Sequence, residues 1–185
     1  MRVVIVDNKD SFTYNLAHYV ECFVEYVDVF RIDRIKSSDL ASYDNIILSP
    51  GPGLPKEYPM LYNILADYYH SKSILGVCLG HQAIAEFFHA KLINLSKVKH
   101  GESSLVYHNQ RLVFNDLPVP IKVGHYHSWV VSEDNFPDCL EITSKNENGI
   151  ITSFAHKKYN IQGLQFHPES IMTDYGLDII RNWLS

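Results

Sequence analysis

The first ninety residues switch repeatedly between two spacings of apolar side chains. Val3-Val4-Ile5-Val6 is an unbroken apolar run, the form taken by a strand buried on both faces. Phe12, Leu16, Tyr19, Val20 and Phe23 then recur on one face of a helix, with Asp10 or Ser11 placed to cap its first turn. Residues 25–32 alternate as a second strand, and Asn45-Ile46-Ile47-Leu48 is a third. Met60, Leu61, Ile64, Leu65 and Tyr68 return to helical spacing, and Ile74 to Val77 is a fourth buried run. From Gly80 onward Ala83, Ile84, Phe87 and Phe88 mark another helix. Strand, helix, strand, strand, helix, strand, helix predicts an α/β fold: an open, mostly parallel twisted sheet with helices on both faces.

The second half reads differently. Short strand candidates at 92–95, 104–107, 112–114, 121–124, 140–144, 150–154 and 161–164 are separated by Asn, Asp, Gly and Pro. That pattern predicts hairpins, a smaller mixed or antiparallel extension of the sheet. Lys99-His100-Gly101 reads as a tight turn. Residues 175–184, with Leu177, Ile180 and Leu184 on one face, predict a closing helix. No repeat, low-complexity tract or linker divides the chain, so residues 1–185 read as a single domain.

Chemistry concentrates where the fourth strand meets its helix. Gly76-Val77-Cys78-Leu79-Gly80 has the G-x-nucleophile-x-G form, in which small residues two before and two after allow a sharp turn. The turn lifts the Cys78 thiol over the amino end of a helix, whose partial positive charge favours thiolate. A thiol at its ordinary pKa of about 8.5 is only a few per cent ionised at neutrality, so a nucleophilic cysteine needs that help. The plain alternative is a buried cysteine packed as a small apolar residue; the two glycines at a strand-to-helix junction favour the nucleophile. In parallel sheets ligands gather at the carboxyl ends of the strands, and loops 7–11 and 49–55 reach that end together with the Cys78 turn.

Composition removes several classes of function. A net charge of −5 over 185 residues gives no electrostatic reason to expect nucleic acid or an anionic membrane as partner. No apolar run is long enough to span a bilayer or to form a signal-peptide core. Cys22, Cys78 and Cys139 are far apart in sequence and show no C-x-x-C spacing, so neither a disulfide framework nor a zinc site is signalled, and a cytoplasmic, reducing location is expected.

Three other stretches bear on the thiol. Ser49-Pro50-Gly51-Pro52-Gly53-Leu54-Pro55 is rigid yet leaves the two glycine N–H groups unobstructed, so it fits either an ordinary turn or a loop that grips an oxyanion. In Gln165-Phe166-His167-Pro168-Glu169, an imidazole is followed two residues on by a carboxylate that can fix its tautomer. Gly124-His125-Tyr126-His127-Ser128-Trp129 carries a His-x-His pair. No acidic or cysteine ligand lies close in sequence, so this stretch reads as the wall of a ligand pocket and not as a metal site.

Together with Asp7-Asn8-Lys9-Asp10-Ser11-Phe12-Thr13-Tyr14-Asn15-Leu16, these motifs make the chain resemble the triad-type class I glutamine amidotransferases along essentially its whole length. Within them it is most similar to the small, glutaminase subunits of anthranilate synthase and 4-amino-4-deoxychorismate synthase. The Asp10-Ser11-Phe12 opening separates that branch from the GMP-synthetase and carbamoyl-phosphate relatives. The resemblance implies Cys78 as nucleophile, His167 as general base and acid, and Glu169 as orienting carboxylate. It implies that Gly51, Pro52, Gly53 and the N–H of Leu79 hold glutamine and its oxyanion, and that Gln82, Ser128 and Trp129 bind the glutamine head group. It implies L-glutamine as substrate and, as partner, a chorismate-binding large synthase subunit, with no metal or organic cofactor in this chain and Mg2+ expected on the partner. Two positions depart from the branch: His125 stands where Arg is common and Trp129 where Leu is common. A γ-glutamyl peptide hydrolase could use the same triad, and a non-catalytic regulatory homologue could keep the fold, though such homologues usually lose part of the triad.

Overall fold

The computed structural model describes residues 1–185, apart from the side chain of Lys97. In chain order the elements are β1 (Arg2–Asp7), α1 (Thr13–Glu21), β2 (Tyr26–Arg31), β3 (Asn45–Leu48), α2 (Pro59–Tyr68), β4 (Ser73–Val77), α3 (Leu79–Phe87), β5 (Leu92–His108), β6 (Ile121–Val131), β7 (Leu140–Asn146), β8 (Ile151–His156), β9 (Ile161–Leu164) and α4 (Gly176–Leu184). The strands form one sheet in the order β2-β1-β3-β4-β9-β8-β7-β5-β6. From β2 to β9 the neighbours are parallel; from β9 to β6 they are antiparallel. The parallel half and the mixed extension expected from the apolar spacing are both present.

Period-two alternation decides which side chains meet which helices. Val3, Ile5, Ile47, Leu75 and Val77 face one core with Leu16 and Val20 of α1 and Ile179, Ile180 and Trp183 of α4. Val4, Val6, Ile46, Leu48 and Ile74 face the other, with Leu61, Ile64 and Leu65 of α2 and Ala83 and Ile84 of α3. Each Val, Leu and Ile among them is fully buried, worth roughly 1.5–3 kcal/mol apiece against exposure. Every residue of β3 is buried, as a strand with helices on both faces requires.

Several local expectations are corrected. The candidates at 92–95 and 104–107 are parts of one seventeen-residue strand, β5, and Lys99-His100-Gly101 is no turn. A register shift between His100 and Glu102, with Gly101 at φ 66°, absorbs the irregularity as a bulge against β6. Residues 112–114 form a 3₁₀ turn whose Phe114 ring stacks on His108 at 4.5 Å; the run is apolar to fill a core and does not pair. The first turn of α1 has no side-chain cap; Asp10 Oδ1 instead accepts from the Phe12 N–H at 2.8 Å, and Asp7 accepts from Thr13 Oγ1 at 2.8 Å. Phe12 and Phe23 leave the expected apolar face of α1 and stand exposed, as does Leu177 of α4.

Candidate active site

Adjacent parallel strands bring distant residues to one point. The register pairs Ile74 with Ile161 and Val77 with Leu164, so β4 and β9 end together, and Cys78 and Gln165 are the next residues of each. The Cys78 N–H donates to the Leu164 carbonyl at 2.8 Å, pinning the two ends. Cys78 then takes φ 50°, ψ −98°, and α3 starts at Leu79. A side-chain-bearing residue rarely adopts this conformation, which costs on the order of 1–3 kcal/mol and persists only where the surroundings enforce it. Its flanking glycines are enforced sterically. A Cβ on Gly76 would lie 2.5 Å from the Gly80 backbone, and one on Gly80 would strike the Leu48 carbonyl oxygen.

His167 enters from the loop after β9. Its N–H donates to the Gly124 carbonyl at 3.1 Å and its own carbonyl accepts from Thr173 Oγ1 at 2.6 Å, so the backbone is held from both sides. Nδ1 lies 2.7 Å from Glu169 Oε1, and both side chains are buried. The rings of Tyr126 and Phe12 stand edge-on to the imidazole at 5.1 and 6.2 Å. Nε2 has no partner at hydrogen-bonding distance, yet it faces the Cys78 sulfur closely enough for the two charges to interact. Burial alone would press His167 toward its neutral form. The Cys78 thiolate and the Glu169 carboxylate outweigh that penalty and hold the ring well above the ordinary histidine range.

Beside the sulfur is a cavity of about 150 Å3 lined by Gly51, Pro52, Gly53, Cys78, Leu79, Gln82, Tyr126, His127, Ser128 and Trp129. Every residue singled out for glutamine or its oxyanion is on this wall. The 49–55 loop is fixed to the end of β1, where Asn8 donates from its backbone N–H to Ser49 Oγ at 2.9 Å and from Nδ2 to the Ser49 carbonyl at 2.7 Å. Leu54 N–H donates to Glu57 Oε1 at 2.7 Å, which turns Gly53 to φ 76°. The edge strand β6 closes the cavity, with Gln82 Nε2 donating to the Trp129 carbonyl at 2.9 Å.

His125 and His127 point their rings at one another: His127 Nε2 is 3.0 Å from His125 Nδ1, and His125 Nε2 is 2.7 Å from Ser104 Oγ. Burial first, then neighbouring positive charge, pushes His125 down to about 3 and His127 to about 4. Their facing nitrogens are thus engaged in a neutral hydrogen-bonded chain. Among the described residues no group of three or more His, Cys, Asp or Glu side chains is arranged to hold a metal.

Two contacts at the sulfur have no counterpart in the sequence pattern. Gln165 Nε2 lies 3.7 Å from Cys78 Sγ, and the Tyr126 carbonyl is 4.0 Å from it. Gln165 is visible in sequence only as the first residue of the His167 motif; the register of β4 against β9 is what gives it a neighbour.

A family model described as glutamine amidotransferase class-I matches residues 4–185. Over its whole length the chain is 44% identical to a Haemophilus influenzae protein provisionally described as anthranilate synthase component II, covering 96% of it. It is 38% identical to aminodeoxychorismate synthase component 2 of Escherichia coli, with 98% of each chain covered. Among solved structures, a Thermoplasma acidophilum protein provisionally described as a GMP synthase subunit superimposes with a TM-score of 0.90 at 28% identity, covering all of this chain and 92% of that one.

Proposed function

Because the chain belongs to the class I glutamine amidotransferases, we propose that it hydrolyses L-glutamine through Cys78, His167 and Glu169 and hands the ammonia to a chorismate-binding synthase subunit. The observation that carries this reading is a strained, glycine-flanked thiol facing an imidazole that the sulfur's charge and a buried carboxylate together hold cationic, beside a cavity of about 150 Å3.

In the proposed reaction the Cys78 thiolate attacks the side-chain carboxamide carbon of glutamine. The oxygen that gains charge is met by backbone N–H groups at Gly53 and Leu79, with Gly51 and Pro52 shaping the same wall. The His167 imidazolium protonates the leaving nitrogen, ammonia departs, and a γ-glutamyl thioester remains. His167, now neutral, takes a proton from water; the hydroxide opens the thioester, glutamate leaves, and the thiolate–imidazolium pair is restored. Gln82, Ser128 and Trp129 bind the glutamine head group. No metal or organic cofactor enters these steps, and Mg2+ belongs to the partner subunit's half of the reaction.

The cavity also bears on the alternatives. At about 150 Å3 it is well below the roughly 300–1,000 Å3 of typical drug-sized ligand sites, which suits free glutamine better than a γ-glutamyl peptide. The presence of thiol, imidazole and carboxylate together speaks against a non-catalytic homologue.

Relatives named for anthranilate synthase and for aminodeoxychorismate synthase stand at similar identity, so the product is anthranilate, 4-amino-4-deoxychorismate or both, according to the partner. The partner's seat is proposed at the rim of the catalytic centre. There Ile171 is 99% exposed two residues after Glu169, and it borders a 370 Å3 cavity with Phe12, Tyr19 and Tyr126. The proposed location is cytoplasmic: all three cysteines are free, and none of the described helices is long and apolar enough to cross a membrane.

The test is to purify the chain with its synthase partner and assay product formation from glutamine and from ammonium salts. Cys78→Ser should abolish the glutamine-dependent reaction and spare the ammonium-dependent one. Retention of glutamine-dependent synthesis would overturn the assignment.

A further inference from the structure

Resting on the reading of Cys78 as nucleophile, we propose that Gln165 is a further catalytic residue, whose side-chain N–H donates to the Cys78 sulfur and favours its thiolate form. Gln165 is 0% exposed and is the first residue beyond β9. Its Nε2 lies 3.7 Å from Cys78 Sγ, and its Oε1 accepts from Gln82 Nε2 at 3.2 Å. Gln82 Nε2 also donates to the Trp129 carbonyl at 2.9 Å.

The direction of this chain follows from its far end. A backbone carbonyl only accepts, so the atom of Gln82 that faces Trp129 is the amide nitrogen. The same nitrogen faces Gln165, so the facing atom there is the carbonyl oxygen. The other end of the Gln165 carboxamide is then the NH2 group, and it points at the sulfur. The relay therefore presents a donor to Cys78 at 3.7 Å, while the Tyr126 carbonyl, which can accept a thiol proton, stands farther off at 4.0 Å. Of the two protonation states of Cys78, only the thiolate is a full hydrogen-bond acceptor, and hydrogen bonding to a charged form favours that form. Burial of the relay keeps water from replacing the bond.

His167 interacts with the same sulfur, and the two have separable roles. The imidazole exchanges protons with the leaving nitrogen and with water; Gln165 has no proton to give up in the cycle and acts by holding the sulfur ionised and in place. Its fixed backbone supports that, since the Gln165 N–H donates to the Thr152 carbonyl at 2.9 Å.

Gln165→Met preserves length and apolar volume while removing the donor. The measurement is the rate at which iodoacetamide alkylates Cys78 as a function of pH, read peptide by peptide so that Cys22 and Cys139 report separately. At about pH 6 alkylation of the variant should be roughly tenfold slower than that of the unsubstituted chain, with the two rates converging in alkali. With the synthase partner bound, kcat for glutamine should fall by a similar factor and KM should hold. Superimposable pH profiles in a folded Gln165→Met chain would overturn the proposal while leaving Cys78 as nucleophile. If Cys78 of the unsubstituted chain reacts no faster than Cys22 at any pH, the nucleophile assignment fails, and this one with it. Should Gln165→Met not fold, the side-chain amide proton signals of Gln165 in the unsubstituted chain decide. A downfield shift as the thiolate forms supports the bond, and no shift over the same range excludes it.

Discussion

Cys78, at φ 50° and ψ −98°, holds its sulfur against an imidazole that Glu169 grips from the far side at 2.7 Å. The sign of the pH dependence follows from His167. Its folded value is raised well above the ordinary 6.5, so the stabilisation it contributes is fully present below that value and is lost as pH rises through the folded one. Glutamine hydrolysis should follow the same alkaline limb, because in the proposed reaction the protonated ring releases ammonia. Glu169→Gln removes one of the two anions that hold the proton. We expect roughly a 10²-fold loss of kcat and a shift of the alkaline limb to lower pH, checked by a pH–rate profile of the complex with glutamine. An unchanged limb would mean that the thiolate alone sets the protonation of the ring. That these three side chains belong to one place is legible in sequence because Cys78 is bracketed by Gly76 and Gly80, and because His167 and Glu169 are two residues apart. Gln165 is not legible in the same way: its contact with Cys78 crosses 87 positions and exists only through the pairing of β4 with β9.

At the scale of elements, the unit that matters is β4, α3 and the sharp elbow between them at Cys78. α3 packs against β3 and β4 so closely that Gly80 has no room for a methyl group beside the Leu48 carbonyl, and Gly76 none beside Gly80. Gly80→Ala should therefore cost about 1–3 kcal/mol or more, read as a lowered thermal midpoint, and the surviving folded protein should lose glutaminase activity because the elbow must move. Elements buried on both faces are easy to read: 45–48 is a strand of four buried residues, and 161–164 likewise. The antiparallel extension is harder. By its spacing β5 reads as two strands because Lys99-His100-Gly101 looks like a turn, while in three dimensions Gly101 at φ 66° lets β5 bulge and continue along β6. Residues 112–114 show the reverse error, since three apolar residues cannot distinguish a strand from a buried turn. Phe12 illustrates a third case: its spacing fits the core face of α1, but it stands beside His167 and Tyr126, where local periodicity carries no information.

Over the whole molecule, the buried histidines His81, His108, His125 and His127 are all held below their ordinary value, and that sets its response to acid. Burial first, and neighbouring charge after it, lowers His81 and His125 to about 3 and His127 to about 4. In the unfolded chain each would bind a proton near 6.5, so between about pH 6.5 and 4 the unfolded state takes up protons that the folded state refuses. Stability should fall across that window, by up to about 1.4 kcal/mol per pH unit for each histidine. His167 adds nothing to this slope at its acid end, being protonated in both states. Urea midpoints measured from about pH 7 down to 4.5 should drop steeply, and His125→Gln should flatten the curve; a level profile would contradict the burial of these rings. The exposed rim of the catalytic centre makes the other global prediction. Ile171, almost wholly in solvent, stands two residues from the carboxylate that orients His167, so a synthase subunit seated there would restrain the same loop that holds the imidazole. The isolated chain should accordingly be a poor glutaminase whose turnover rises on adding the partner. Ile171→Asp should weaken that complex roughly 10- to 100-fold, as expected for burying an unpaired carboxylate at an interface core, without changing the thermal midpoint of the free chain. Sedimentation of the pair, together with glutamine turnover titrated against the synthase subunit, measures both effects. If Ile171→Asp leaves the affinity intact, the partner binds elsewhere, and any activation has to reach His167 through the fold instead of through its own loop.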